Sequence, residues 1–272
     1  MDRTIIPNGH QPEHPDAPQR FKDLCSLPEI TLVYVTGRHL ELVEQAIAYY
    51  NLPHPEYAIT DVGTKMYHRV ENNWEQIHTW QDEIALDWNN KSHKQLQESL
   101  QGIAFLFLQE REKQSNFKLS YYLPLTVDHE KILIQVEQQL SQLGVKASLI
   151  FSIDEPNQIA LLDILPKNAT KLHAIQFLQN HLGCRVNKTL FAGDSGNDLP
   201  VLGSSIRSIL VANAEPEIRR EAQRIAKTNG YPERLYTAKD EISPLGGNYS
   251  AGVLQGVLFF IPELRSEVPY HE

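Results

Sequence analysis

Two aspartates four residues apart, Asp194 and Asp198, are the residues whose types and spacing most clearly suggest a chemical role in this sequence. They lie in residues 193–198, directly after the apolar run at residues 189–192. Mg²⁺ takes oxygen ligands in octahedral geometry, usually one or two carboxylates with waters and phosphate oxygens, so this spacing is typical of half of a magnesium site. The supporting turn and capping residues between them are Ser195 and Asn197. The alternative interpretation is a capped strand-to-helix turn without chemistry.

Phosphate-binding candidates follow another predicted strand, residues 31–35. The tripeptide Thr36, Gly37 and Arg38 comes after that strand and is expected to open a helix, whose N-terminal amides and dipole stabilise anions. For Thr36 the alternative is an ordinary N-cap.

A lysine at the start of a later predicted helix is the third candidate. Lys171 there opposes the helix dipole, which is unfavourable unless the charge neutralises an anion such as phosphate. A solvated surface lysine is the alternative, and Lys167 competes for the role.

The sequence pattern around these candidate residues predicts an α/β fold. Short apolar runs at residues 31–35, 189–192 and 209–211 are typical of buried parallel strands, and helical patterns alternate with them. From about residue 77 to 162 the pattern instead predicts an α+β insertion. We therefore expect a Rossmann-like parallel-sheet core from residues 1–76 and 163–272, with residues 77–162 as a cap domain. Residues 82–101 are expected to form a surface helix with Trp80 and Trp88 as anchors.

Composition narrows the possible partners. The 272 residues carry a net charge of -9 and no dense Lys/Arg run, which argues against nucleic-acid binding. Neither an apolar run of about 18 residues nor a leader pattern is visible, so we expect no membrane association and a cytoplasmic location. Cys25 and Cys184 lack the spacing of a zinc site and are expected to be reduced thiols.

Several motifs together resemble a phosphatase of the haloacid dehalogenase superfamily, specifically its sucrose-phosphate phosphatase branch. In order along the chain they are Asp2-Arg3-Thr4, Tyr34-Val35-Thr36-Gly37-Arg38, Asp61-Val62-Gly63-Thr64, Asp163-Ile164-Leu165-Pro166 with Lys171, Gly193 to Asp198, and Asn213-Ala214-Glu215-Pro216-Glu217. The resemblance covers nearly the whole chain. It implies a reaction through an aspartyl-phosphate that requires Mg²⁺.

The resemblance also implies a role for each matching residue. Asp2 would be the general acid/base, and its backbone carbonyl a metal ligand. Asp194 would ligate the metal directly, and Asp198 directly or through water. Thr36 and the Gly37 amide would hold phosphate oxygens beside Arg38, while Lys171 would balance the negative charge.

One departure from the family pattern concerns the nucleophile. The first aspartate of the family's Asp-x-Asp-x-Thr motif would stand immediately before Met1, and the strand that carries it would be the missing first strand of the core. We expect an apolar slot in the parallel sheet as a result. Either the natural chain begins further upstream and is a normal enzyme, which we favour, or the chain is short and impaired as a catalyst.

Substrate selection is expected to lie with the cap and one core turn. Lys118, Ser120 and Tyr122 lie on one face of a predicted cap strand and are candidate sugar contacts, although that face would equally suit solvent. Gly63 and Thr64 would meet the sugar or simply form a turn.

The function predicted from these motifs is Mg²⁺-dependent hydrolysis of a sugar phosphate, most specifically sucrose 6-phosphate. Alternatives are a phosphatase for another glycosyl phosphate, such as mannosyl- or glucosyl-3-phosphoglycerate, and a non-catalytic sugar-phosphate-binding or regulatory domain. A sucrose-phosphate synthase is a possible protein partner.

Overall fold

Helices and strands alternate along most of the chain. The computed structural model describes residues 1–154, 157–240 and 244–266. Its helices are α1 (Ala17–Cys25), α2 (Leu40–Tyr50), α3 (His78–Ala85), α4 (His93–Leu100), α5 (His129–Gln142), α6 (Lys171–His181), α7 (Leu199–Leu202), α8 (Pro216–Thr228) and α9 (Tyr249–Phe260). Its strands are β1 (Val33–Val35), β2 (Tyr57–Thr60), β3 (Lys65–Val70), β4 (Asn73–Gln76), β5 (Phe107–Leu108), β6 (Leu119–Leu123), β7 (Ala147–Asp154), β8 (Ile159–Pro166), β9 (Leu190–Gly193), β10 (Arg207–Leu210) and β11 (Leu235–Thr237).

The core strands are parallel where the apolar runs predict it. β1 pairs with β2, and β9, β10 and β11 pair in the order β11-β10-β9, all in parallel. An antiparallel extension, β3 and β4, continues the first sheet beyond β2. The predicted α/β class is confirmed.

Two layers of helices cover these strands. Tyr34 of β1 packs in a buried cluster with α1, α2 and α9, whereas its neighbours Val33 and Val35 pack against a second cluster that contains α3, α6 and α7. Because successive residues of a strand point to opposite faces, the two clusters lie on opposite sides of the sheets. This helix–sheet–helix layering is typical of a doubly wound α/β core.

A gap separates the two parallel sheets. β1 ends one sheet and β9 ends the other, and a cavity of about 410 Å³ is lined by residues of both strands and of α1, α6 and α9. We call this cavity the slot. It is an apolar gap in the parallel core of the kind that the sequence predicts.

The inserted segment forms an antiparallel sheet with the strand order β5-β6-β8-β7. α4 and α5 pack against this sheet in a third apolar cluster. The sheet continues beyond the predicted boundary at residue 163, since Pro166 is still in register with Ala147. At the other boundary, Trp80 and Ile84 of α3 pack in the second core cluster. The division into core and cap at residues 77 and 163 stays a prediction.

The expected helix at residues 82–101 is wrong, because the segment is broken. α3 ends at Ala85, a short 3-10 turn follows, and Asn89 and Asn90 adopt positive φ before α4 begins. The two expected anchors, Trp80 and Trp88, are both fully buried. Across the residues that the structure describes, no helix has the length and apolar character needed to cross a membrane.

Candidate active site

The loop after β9 is organised by one carboxylate, that of Asp198. Its Oδ2 accepts hydrogen bonds from the Asp194 and Ser195 amides at 3.0 and 3.1 Å and from the Ser195 hydroxyl at 3.0 Å. Gly193 is required for this closeness, since a Cβ there would lie 2.6 Å from Asp198. Asn197 is exposed in the short 3-10 turn.

Lys171 completes the environment of Asp198. Its Nζ donates to Asp198 Oδ1 at 2.6 Å, and the two side chains are only 12% and 3% exposed. Burial acts against the charge of Asp198, but Lys171 and the Ser195 amide outweigh it and lower the pKa of the carboxyl. The competing Lys167 is exposed, so Lys171 is the lysine that reaches the loop.

Asp194 has a different partner and the opposite shift. The Thr4 hydroxyl donates to its Oδ1 at 2.8 Å, and both residues are buried. Burial raises the pKa of Asp194, with the nearby charge of Asp198 adding to the effect. Asp194 is therefore a buried carboxyl whose negative form lacks full compensation, and an added cation would stabilise it.

Asp2 is held in a fork by Arg38. Nε and Nη2 of Arg38 donate to the two carboxylate oxygens of Asp2 at 2.8 and 2.5 Å, and Asn8 Nδ2 donates to Oδ1 at 2.8 Å. The Arg38 hydrogen bonds are the main reason that the pKa of Asp2 lies below its ordinary value. Asp2 is thus an anion paired with a predicted phosphate-binding residue.

Thr36 and Gly37 form a loop ahead of α2. The helix begins only at Leu40, and His39 occupies the N-cap position, so the expectation that Thr36 opens or caps the helix is wrong. The buried Thr36 hydroxyl instead accepts a hydrogen bond from the Arg38 amide at 3.2 Å. Gly37 is exposed at the carboxyl end of β1.

The turn containing Gly63 and Thr64 braces the start of α6. Gly63 has a φ of +92°, and a Cβ there would lie 3.2 Å from the Thr170 carbonyl carbon. Thr64 is fully buried and donates to the Asp61 carbonyl at 2.9 Å. Thr64 therefore cannot contact a sugar in this structure, and the turn alternative describes it better.

The three predicted cap contacts have internal partners. Ser120 is fully buried and donates to Asp163, and Lys118 Nζ lies 3.4 Å from Asp163 Oδ2. Tyr122 donates to Glu110 at 2.8 Å. Ser120 cannot meet a sugar without a rearrangement, which corrects the expectation for that residue. Lys118 and Tyr122 retain partly exposed side chains.

Two of the three predicted metal ligands already have other partners. Both oxygens of Asp198 are occupied by Lys171 and by the loop, and the carboxylate of Asp2 is turned to Arg38. Among the described residues, no group of three His, Cys, Asp or Glu side chains could hold a metal ion. As arranged, the three aspartates do not form a complete ligand set, and Asp194 is the one whose burial and pKa suit a bound cation.

The Met1 amine joins the separate pairs into one cluster. It is buried, which lowers its pKa, and its charge interacts with Lys171, Asp198, Asp2 and Asp194. We call these five residues and Thr4 the site cluster. Since β1 and β9 end beside it, the cluster lies at the carboxyl ends of parallel strands, the common location of ligand sites in open α/β sheets.

A second set of hydrogen bonds, between the loop at Arg3 and the loop at Asn213 and Glu215, was not predicted. The Asn213 side-chain amide donates to the Arg3 carbonyl at 2.6 Å, and Arg3 Nη2 donates to the Asn213 carbonyl at 3.1 Å and to Glu215 at 2.8 Å. Both segments belong to quoted motifs, but no role followed from their spacing. The structural role of Thr4 was missed in the same way, because hydroxyl partners 190 positions away are not visible in a sequence.

A doubly wound core with an inserted antiparallel sheet is the fold of hydrolases of the haloacid dehalogenase type, and the site lies where such hydrolases carry theirs. The match to the family model for sucrose-6F-phosphate phosphohydrolase extends over residues 1–261. The chain belongs to this family.

Individual relatives agree with that assignment. A Nitrosococcus oceani protein named as an HAD-like hydrolase is 47% identical over 98% of this chain and 71% of its own length. The mannosylfructose-phosphate phosphatase of Agrobacterium fabrum is 28% identical, over 80% and 83% of the two chains. A solved sucrose-phosphatase from Synechocystis sp. PCC6803, in complex with sucrose and phosphate, superposes with a TM-score of 0.68 at 26% identity, over 95% and 94%.

Proposed function

We propose that the protein is a phosphatase that releases inorganic phosphate from a sugar phosphate, and that sucrose 6-phosphate is its substrate. The observation that carries the proposal is the site cluster, in which Lys171, Asp198, Asp194 and Thr4 are joined by direct hydrogen bonds at the carboxyl ends of parallel strands. Membership of the sucrose-6F-phosphate phosphohydrolase family and the likeness to a sucrose-phosphatase support the substrate class.

Phosphate binding is assigned to the residues that follow β1, together with the lysine. The exposed Gly37 amide and the Thr36 hydroxyl would donate to phosphate oxygens, as the resemblance implies. Lys171 is pre-oriented for charge balance because its ammonium is already fixed by Asp198. A fixed cation stabilises developing negative charge without reorganising during the reaction.

Asp2 is proposed as the acid/base, and Arg38 determines which form prevails. While the fork is intact, Asp2 stays ionised and suits the base role, in which it would take a proton from water. To act first as an acid towards the leaving sugar oxygen, Asp2 must carry a proton, and that requires a weaker bond to Arg38. An arriving phosphate would compete for the guanidinium and supply that change.

Mg²⁺ is the proposed cofactor, with Asp194 as its carboxylate ligand. When bound, the ion would reduce repulsion between an attacking carboxylate and the phosphate. We expect Mg²⁺ to raise the melting temperature of the wild-type protein and to have a smaller effect on Asp194→Asn. Equal shifts in both proteins would reject Asp194 as a ligand.

The attacking carboxylate is proposed to be an aspartate immediately before Met1, as the family motif implies. The test compares this sequence with a version extended by an apolar strand that ends in aspartate, using phosphate release with Mg²⁺ present. A version ending in asparagine is the matched control. No release by the aspartate version from any disaccharide phosphate would refute the proposal.

A substrate panel separates the alternatives. Mannosylfructose phosphate belongs in the panel because a relative that matches 80% of this chain is named for that substrate. Mannosyl- and glucosyl-3-phosphoglycerate test the other predicted class of substrate. Sugar-phosphate binding without release by any version would favour the non-catalytic domain. A sucrose-phosphate synthase partner stays a prediction that co-purification would test.

A further inference from the structure

One buried carboxylate outside the site cluster holds the segment that leads into α6. Asp87 lies in the 3-10 turn between α3 and α4 and is only 5% exposed. Its Oδ2 accepts a hydrogen bond from the Asn168 backbone amide at 2.6 Å, and its Oδ1 accepts one from the Asn168 side-chain amide at 3.1 Å. Hydrogen bonds to a charged acceptor are stronger than neutral ones, and a pair of them also fixes orientation. Asp87 therefore fixes both the backbone and the side chain of Asn168.

Asp87 and Asn168 belong to a closed ring of hydrogen bonds. The Lys146 amide donates to the Asp87 carbonyl at 2.6 Å, and the Lys146 carbonyl accepts from the Lys167 amide at 3.1 Å. Lys146 directly precedes β7, the edge strand of the inserted sheet, and Lys167 directly follows β8. We call residues 167–170 the lead-in segment. A movement of the inserted sheet would reach the lead-in segment through this ring.

The lead-in segment determines where α6 begins. The Asn168 carbonyl accepts from the Thr170 amide at 2.8 Å and lies 3.0 Å from His173 Nδ1. The Thr170 hydroxyl accepts from the His173 amide at 3.2 Å and so caps the helix. Lys171 is the first residue of α6. A shift of Asn168 would therefore move the cap and the backbone of Lys171 with it.

The ammonium of Lys171 depends on that backbone position. Its Nζ lies 2.6 Å from Asp198 Oδ1, and both side chains are almost fully buried. The Gly63 turn also packs against the lead-in segment, since a Cβ at Gly63 would lie 3.2 Å from the Thr170 carbonyl carbon. Trp80 Nε1 donates to the Gly63 carbonyl at 3.0 Å and steadies this turn. The start of α6 is thus held by a turn of the core and, through separate contacts, by Asp87.

We infer that Asp87 is a positioning residue that fixes the ammonium of Lys171 against Asp198 through Asn168, and that it links the inserted sheet to the site. Asp87 would not touch the substrate. The use of Lys171 to balance the charge of a phosphate rests on the proposed function, whereas its positioning by Asp87 rests on the hydrogen bonds alone. Asp87 and Asn168 are 81 positions apart, so their spacing gives no signal in the sequence.

The experiment replaces Asp87 with asparagine in the full chain. Asp87→Asn keeps the shape of the side chain but turns one acceptor into a donor, which then faces a donor of Asn168. Acylation with acetic anhydride, followed by mass spectrometry, measures how often the Lys171 amine leaves its buried pair. We expect Lys171 to be acylated about tenfold faster in the variant, because loss of a hydrogen bond to a buried charge raises the population of the opened segment by that order. The rate at Lys94, whose side chain is 82% exposed, should not change.

Exchanging the two side chains provides a rescue. In Asp87→Asn/Asn168→Asp, the new amide at position 87 can accept from the backbone amide at position 168 and donate to the new carboxylate there. Both hydrogen bonds are retained, so Lys171 acylation should return to within about twofold of the wild-type rate. Asn168→Ala is a milder variant, because it removes one donor from an exposed residue, and it should speed acylation about threefold.

A destabilised variant at a remote position separates positioning from general loss of stability. Val136→Ala leaves a cavity in the third apolar cluster and should keep the wild-type acylation rate at Lys171. Equal acceleration in Asp87→Asn and Val136→Ala, no acceleration in Asp87→Asn and Asn168→Ala, or acceleration that the exchange does not reverse would each overturn the inference.

Acylation requires no catalysis, so the result is independent of the proposed function. Faster acylation in Asp87→Asn, without phosphate release from sucrose 6-phosphate by any version of the protein, would retain the positioning role and reject the proposed function. Phosphate release together with an unchanged acylation rate would do the reverse.

Discussion

Replacing Lys171 with methionine tests the electrostatics of the site cluster most directly. The substitution keeps an unbranched side chain and removes the cation from a pair that is 12% and 3% exposed. Breaking a buried ion pair by removing one partner costs about 3–5 kcal/mol, because the other charge stays buried. Asp198 would keep its three donors on Oδ2, so we expect a loss near the lower end, about 3 kcal/mol.

Urea unfolding, monitored by tryptophan fluorescence, measures this loss of stability. Trp80 and Trp88 are fully buried, so their emission changes when the protein unfolds. The matched control is Lys94→Met, which removes the lysine of a pair with Glu98 whose side chains are 82% and 55% exposed. Exposed pairs contribute about 0–1 kcal/mol. Equal losses in the two variants would refute the argument that burial makes the Lys171 pair important.

The pH dependence supplies a second check on Lys171→Met. In the wild-type protein the pKa of Asp198 is lowered, so its contribution to stability is present above the unfolded pKa and is lost as pH falls through the folded one. Without Lys171, the pKa rises and Asp198 becomes neutral at a higher pH. The stability difference between the two proteins should therefore shrink as pH falls, and should go on shrinking below the ordinary aspartate pKa, where the wild-type carboxyl takes up its proton. A constant difference would indicate lost packing rather than lost charge.

Three further predictions concern single residues. Gly193→Ala would place a methyl group 2.6 Å from a carboxylate oxygen of its loop, so we expect a loss of stability of about 1–3 kcal/mol in urea unfolding. The control Gly102→Ala, with open space around its Cβ, should change stability by less than about 0.5 kcal/mol. Similar losses in both variants would contradict the steric argument. Arg38→Met should raise the pKa of Asp2 because the guanidinium is the main cause of its low value, and an unchanged midpoint in a carbon-13 NMR titration would reject this. Burial raises the pKa of Cys25 to about 12, so at pH 8 its thiol should react about a thousandfold more slowly than free cysteine; a comparable rate would contradict the burial.

The sequence predicted the parallel core well because its signals are local. The apolar runs that form β1, β9 and β10 are short, and the segments between such strands show apolar residues at helical spacing. The break between α3 and α4 was missed because residues 82–101 are mostly polar, and two asparagines with positive φ separate the helices without glycine or proline. Asparagine tolerates that conformation, so the break has no strong signal.

The site could be predicted by residue type but not by contact. Asp194, Asp198 and Lys171 do lie together, as their motifs suggest. Their separate roles depend on long-range partners, since Thr4 bonds to Asp194 and Arg38 takes the carboxylate of Asp2. Ser120 was misjudged because alternation along a strand identifies its face, whereas its burial depends on the segment that covers that face.

The slot and the site cluster share Met1 and Thr4, so packing around the slot should affect the geometry of the site. The carbonyl of Met1 accepts from the amides of Thr4, Ile5 and Ile6, Thr4 bonds to Asp194, and the two isoleucines are anchored in the first core cluster. The packed isoleucines therefore hold the turn at Met1 to Thr4 against the core, and Thr4 carries that position to Asp194. Packing at residues 5 and 6 and the geometry of Asp194 are thus coupled through one short segment.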